Sequence, residues 1–103
     1  MPKLHGVENS AGQRLGYMLE CPGCGGCHVI YTEQQNDLGA RWNFDGNMEA
    51  PTFSPSIRVR WTEGPEHVQK VCHFFVRAGK IEFCGDSTHA LAGKTVELPE
   101  MDR

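Results

Sequence analysis

No stretch of this 103-residue chain is apolar for anything near the roughly 20 residues that a membrane helix needs. Nothing near its start has the pattern of a secretory signal. The expectation is a cytoplasmic protein with no membrane association. Basic residues are also scarce. Ten Lys and Arg against thirteen Asp and Glu leave a formal net charge of −3, which argues against a general nucleic-acid binder. Arg58 and Arg60 alternate on one expected strand, with Lys70 and Arg77 elsewhere. They read as a solvated strand face rather than a phosphate-binding stripe. An even cysteine count is missing too. The five thiols, Cys21, Cys24, Cys27, Cys72 and Cys84, cannot all pair within one chain, and clustered thiols in a reducing compartment more often bind metal than form bridges. No repeat, low-complexity tract or linker divides the chain. It reads as a single domain over 1–103, with flexible ends at 1–15 and 100–103.

A domain of this size buries only a modest core, and a bound metal is a usual supplement. β-Branched and aromatic runs between turn residues place strands at 16–20, 29–32, 41–44, 57–61, 71–76, 81–84 and 95–98. The clearest hairpin joins 71–76 to 81–84 through Arg77-Ala78-Gly79-Lys80. Pro51 and Pro55 argue against a helix or a central strand across 50–56, so an extended edge segment is expected there. Asp86 or Ser87 is placed to cap one helical turn over 88–92, ended by Gly93. The fold class that follows is mainly β, a small zinc-stabilised antiparallel domain with one short helix.

The chemistry concentrates in Cys21-Pro22-Gly23-Cys24-Gly25, which has the form of a zinc knuckle. Two cysteines separated by two residues can turn both sulfurs to one point, and the glycines permit the bend. Zinc favours four ligands in a tetrahedron. Cys72 and His73 are the first choice to complete the set, with His28 as the alternate. The objection is geometric, because neighbours on a strand point to opposite faces. A redox Cys-x-x-Cys pair is disfavoured, since Gly25-Gly26 follows where a helix would open. Cys27 and Cys84 read as small buried hydrophobes.

Four motifs in order carry a resemblance over roughly residues 16–99. They are Cys21-Pro22-x-Cys24-Gly25…His28, Pro51-Thr52-Phe53-Ser54-Pro55-Ser56, Cys72-His73-Phe74-Phe75…Gly79-Lys80-Ile81, and Asp86-x-Thr88-His89-Ala90-Leu91-Ala92-Gly93. The chain resembles a family of small phage and prophage proteins of uncharacterised function, often labelled "ammonia monooxygenase" in phage genomes. The resemblance implies a zinc-binding β protein. Larger bacterial relatives lie near ubiquitin-like conjugation genes, which implies a peptidase or adaptor role. Family members often carry Cys where this chain has Ser87. The monooxygenase label fails on physical grounds, because a membrane copper oxygenase needs transmembrane helices, and a thiolate-rich knuckle suits zinc better than an oxygen-activating centre.

Three functional readings follow. The first is a phage or prophage accessory protein with a structural Zn2+ site, acting as a monomer or homodimer on a host or phage protein. Trp42, Trp61, Phe53 and Phe74 would form either its contact surface or, as we prefer, its core. The second is a zinc-dependent or serine hydrolase using Asp86, His89, His73 or Ser56. Each of these has a plainer role available, Asp86 as a cap and Ser56 as a turn residue, and a Ser–His–Asp arrangement depends on proximity that sequence order does not give. The third, a nucleic-acid-binding zinc ribbon, is weakened by the charge.

Overall fold

A computed structural model describes residues 2–101 as eight strands in two antiparallel sheets. The first sheet has three strands, β1 (His5–Glu8), β2 (Arg14–Cys21) and β3 (Gly26–Tyr31), in that order. The second has five, β4 (Asn43–Phe44), β5 (Phe53–Glu63), β6 (Val68–Arg77), β7 (Lys80–Phe83) and β8 (Thr95–Glu97), again in chain order. Within each sheet, strands that follow one another in the chain are paired neighbours, which suits antiparallel pairing, while longer loops over 32–42 and 84–94 join β3 to β4 and β7 to β8.

The two sheets share one core. Leu19, Cys21 and Ile30 come from the first, and Phe53, Ile57, Cys72, Phe74, Val76, Ile81 and Phe83 from the second. The period-2 alternation of β6 is the organising feature. Cys72, Phe74 and Val76 are buried, while His73, Phe75 and Arg77 lie on the opposite face. β5 runs beside β6 with Arg58 opposite His73 and Val59 opposite Cys72. Phe53 and Phe74 are fully buried, and Trp42 and Trp61 pack against the core from its margin, so these aromatics serve the interior as preferred.

Several expected features differ. Residues 88–92 form turns, and among the described residues there is no helix. The backbone there bonds to β6 through Thr88 N–H to Val71 O at 2.9 Å, which competes with a helical turn. The expected loose start holds β1, whose Leu4 neighbour is 2 % exposed. At the other end Met101 N–H donates to Pro2 O, and residues 1, 102 and 103 lie outside the described set. Pro55 lies inside β5, but at a register irregularity between Phe53 and Ile57, where a missing N–H costs the ladder least. The β6–β7 turn is as expected. Ala78 and Gly79 both have positive φ, 50° and 80°, the pattern of a two-residue hairpin turn that matches strand twist. No helix is long and apolar enough to cross a membrane.

Candidate functional site

Cys72 and His73 are neighbours, so β6 sends them to opposite faces, and each face carries its own cluster. On the inner side are Cys72, Cys21 at the end of β2, Cys24 in the knuckle and His89 from the loop after β7. One ligand atom from each lies within 4.8 Å of the others. Cys21 Sγ is 3.8 Å from Cys72 Sγ, and Cys72 Sγ is 3.5 Å from His89 Nε2. The Cys24 backbone N–H donates to Cys21 Sγ at 3.4 Å, as expected of a knuckle that stabilises its thiolates. Leu91 N–H donates to His89 Nδ1, and the ring stands edge-on to Phe83 at 4.5 Å between centroids. These two contacts turn Nε2 toward the sulfurs.

The thiols share charge unequally. A hydrogen bond from Cys72, with help from His28 and the Cys24 N–H, lowers the Cys21 thiol to about 3 against the opposing effect of burial. Burial raises Cys24 to about 11. Cys72 is raised as well, first by acting as donor to Cys21 and then by burial. Left to themselves, Cys21 and Cys24 hold back the ionisation of Cys72, and Cys21 that of Cys24. A cation removes that conflict, and three cysteines with one histidine form a donor set suited to a tetrahedral metal ion.

The expected fourth ligand was His73, and the structure puts His89 there instead. His28, the alternate, lies 3.6 Å from Cys24 Sγ through Nε2 but stacks its ring on Phe74, so it adjoins the cluster without joining the four. Cys27, expected to be buried, is exposed on β3 and is not one of the four.

On the outer side His73 lies between Ser56 and Asp86. Its Nε2 is 3.1 Å from Ser56 Oγ. Its Nδ1 is 3.0 and 3.2 Å from the two Asp86 oxygens. With Asp86 accepting from Nδ1–H, Nε2 is left to accept from the serine hydroxyl, the tautomer a general base needs. Ser56 is held by the irregular part of β5, where its carbonyl accepts from Trp42 Nε1 at 3.1 Å. Asp86 is positioned by its neighbours. Ser87 Oγ accepts from His73 N–H and donates to His73 O, both at 3.0 Å. Thr88 repeats the pattern on Val71 one turn of the pleat away, with its Oγ1 accepting at 3.0 Å and donating at 3.2 Å. Residues 84–89 are thus stitched along β6, presenting Asp86 to the outer face and His89 to the inner. Cys84 adjoins His73 and Asp86, and burial together with the Asp86 and Glu82 carboxylates raises its thiol. Arg58 Nε approaches Asp86 Oδ2 at 3.9 Å.

Of the expected catalytic candidates, Ser56 and Asp86 come together with His73, and His89 goes to the cysteines. The split of Cys72 and His73 between two faces is the objection that the sequence raises, and what sequence reading does not supply is His89 as the histidine beside the three cysteines. The alternation rule carried the first signal, and the spacing of Asp86 and His89 the second.

The geometry is of a kind met in serine hydrolases, a hydroxyl, an imidazole and a carboxylate in hydrogen-bonded series on a β scaffold, with a thiolate-rich cluster behind it. A family model described as "Bacterial ubiquitination-like system serine protease (BubE)" matches residues 3–84, and the chain belongs to that family. The description is of a bacterial system and names neither phage nor zinc. Comparison with curated proteins and with solved structures gave no significant match.

One substitution probes the inner cluster. A Cβ on Gly23 would overlap the His89 imidazole, so Gly23→Ala must push the ring off the cysteines or distort the knuckle. We expect metal affinity, measured by competition with a chromogenic chelator, to fall about 10–100-fold. Unchanged affinity would show that His89 is not a ligand.

Proposed function

We propose that the chain is a serine peptidase of a bacterial ubiquitination-like system, with Ser56 as nucleophile, His73 as general base and acid, and Asp86 as the group that orients His73. The observation that carries this reading is the unbroken series Ser56 Oγ–His73 Nε2 and His73 Nδ1–Asp86, within a family named for a serine protease. A purely structural binding module accounts for the cysteine cluster but gives no reason for this second one.

In the proposed reaction Ser56 Oγ attacks the substrate carbonyl carbon and passes its proton to His73 Nε2. Asp86 stabilises the resulting imidazolium. His73 then protonates the leaving group as the scissile bond breaks, leaving the acyl group on Ser56. A water, deprotonated by His73, releases the acid and restores the serine.

The inner cluster fits Zn2+ with Cys21, Cys24, Cys72 and His89 as a closed ligand set. Such an ion supplies a cross-link rather than an activated water, because all four positions are filled by protein. The residues so linked flank the triad. Cys72 adjoins His73 in β6, and His89 follows Asp86 by three positions, so the cluster fixes the two segments that bring base and carboxylate together.

A fluorophosphonate probe tests the nucleophile directly. We expect one adduct per chain, mapped to Ser56 by mass spectrometry and blocked by prior denaturation. Absence of labelling, or labelling elsewhere that persists after unfolding, would remove the serine peptidase reading.

A further inference from the structure

We propose that the open edge of β5, with Arg58 and Arg60 beside it, is a channel that binds the cleaved polypeptide and reads its carboxylates. The inference rests on the peptidase reading for its direction, since the channel begins at Ser56. β4 pairs with β5 only at Phe53 and Ser54. From Ile57 to Glu63, β5 is paired on one side by β6, and among the described residues no strand covers its other side. An exposed edge of this kind offers backbone donors and acceptors to an extended peptide.

On the face of this edge that carries Ser56, the charged side chains of β5 are of one sign. Ser56, Arg58, Arg60 and Thr62 follow at period 2, so they share a face with His73, which lies opposite Arg58. A groove of about 540 Å³ lies against them, lined by Leu38, Arg58, Arg60, Trp61, Thr62 and Gln69. No carboxylate lines it. Arg58 has only the long 3.9 Å approach to Asp86, between two half-exposed side chains, a pairing that holds little energy in water. Arg60 makes no ion pair or hydrogen bond among the described residues. Two guanidinium groups without firm partners, in a groove that also offers Thr62 and Gln69, are suited to carboxylate ligands, which they can grip bidentately. At about 3.3 Å per strand residue, Arg58 and Arg60 stand about 7 and 13 Å along β5 from Ser56. A peptide lying along this edge would present to them the residues about two and four positions from the bond being cut. The carboxylates are either Asp and Glu side chains or the chain's own C-terminal group.

The test has two arms. In the first, a proteome-derived peptide library, with free or amidated C-termini, is digested and the cleavage sites are read by mass spectrometry. We expect Asp and Glu enriched roughly tenfold at two to four positions from the cut. Arg60→Gln should bring the ratio of acidic to neutral substrates near one, and Arg60→Glu should favour Lys and Arg. Enrichment confined to free C-termini would assign the channel to the terminal carboxylate. Ser56-dependent cleavage with no acidic preference in either library overturns the proposal. In the second arm, fluorescein-labelled Glu-rich and Gln-rich decapeptides are titrated against Ser56→Ala protein. The Glu-rich peptide should bind at least tenfold more tightly, and Arg60→Gln should erase the difference. Equal affinities of the two peptides, with the Gln-rich peptide bound no more weakly when its C-terminus is amidated, overturn the channel even if cleavage is seen. If nothing is cleaved, the peptidase reading fails, and the binding arm alone decides the channel.

Discussion

Ser56→Ala protein will fold and melt like the parent and lose hydrolytic activity by about 10⁴-fold or more. The reason is chemical and local. Ser56 contributes its hydroxyl to His73 and its carbonyl to Trp42, and alanine removes only the first. Without Oγ no acyl intermediate forms, so the two-step route is closed rather than slowed. Asp86→Asn tests a different property. An amide at this position can present its N–H to His73 Nδ1, leaving the hydrogen on Nε2 and facing the serine, which is the wrong tautomer for a base. Asp86 is half exposed, with a side chain 49 % accessible, so water shares the work of stabilising the imidazolium. We therefore expect a smaller loss for Asp86→Asn, about 10²–10³-fold, and a double variant little worse than Ser56→Ala alone, because the residues act as a unit. Peptide hydrolysis assayed with the purified variants decides the matter. Parent-like turnover in Ser56→Ala protein would sink the assignment outright.

Strand content was legible in the sequence because this fold relies on period-2 alternation and turn residues. The β6–β7 hairpin is the best case, where Ala78-Gly79 takes the positive φ values its turn requires. β1 was not legible. His5–Glu8 is a short strand with no fully buried residue of its own, and it exists by pairing with β2. The segment 88–92 reads as helical in the sequence because the cap residues Asp86 and Ser87 are ambiguous locally. Asp86 is bonded to His73 and Ser87 to the β6 backbone, so tertiary contacts claimed the side chains a helix cap would use. The knuckle cysteines announced themselves by spacing. Cys72 also belongs to the expected set and lies in the cluster, but its histidine was not legible, since the choice between His73 and His89 depends on which face of β6 each reaches. The Ser87 position sharpens this. In this chain the Ser87 hydroxyl satisfies both backbone groups of His73, outside the cysteine cluster.

Two clusters on opposite faces of one strand also give the molecule a division of labour. The inner cluster places two of its thiols where a cation would be shielded from water, and the proposed triad lies where a substrate would reach it. Cys21 and Cys72 are fully buried, whereas Ser56 and His73 retain exposure. The two are joined through short covalent distances. A change at the inner cluster reaches the outer one through the peptide bond between Cys72 and His73 and through the three-residue step from Asp86 to His89.

That coupling sets the size of the second large effect, removal of the metal. Purified, reduced protein should contain one Zn2+ per chain by elemental analysis. Stripping it should leave three thiols and an imidazole packed within 4.8 Å of one another with no cation to reconcile their charges. For an ion held at a thousandfold excess over its Kd, the loss is about 4 kcal/mol. In a domain of this size each kcal/mol moves the melting temperature by about 4–8 °C, so the expected fall is about 15–30 °C. Acid should act in the same direction, because the ligands bind as thiolates and as neutral imidazole, and protons compete with the ion for all four. Chelation should also lower hydrolysis at temperatures where the apo protein is still folded, because residues 84–89 lose their anchor at His89 and Asp86 is then held against His73 by the Ser87 and Thr88 bonds alone. Cys72→Ser should reproduce the thermal loss without chelator. A metal-free sample that melts cooperatively at the same temperature and cleaves peptides at the same rate would show that the cysteines are neither a structural site nor a support for the triad.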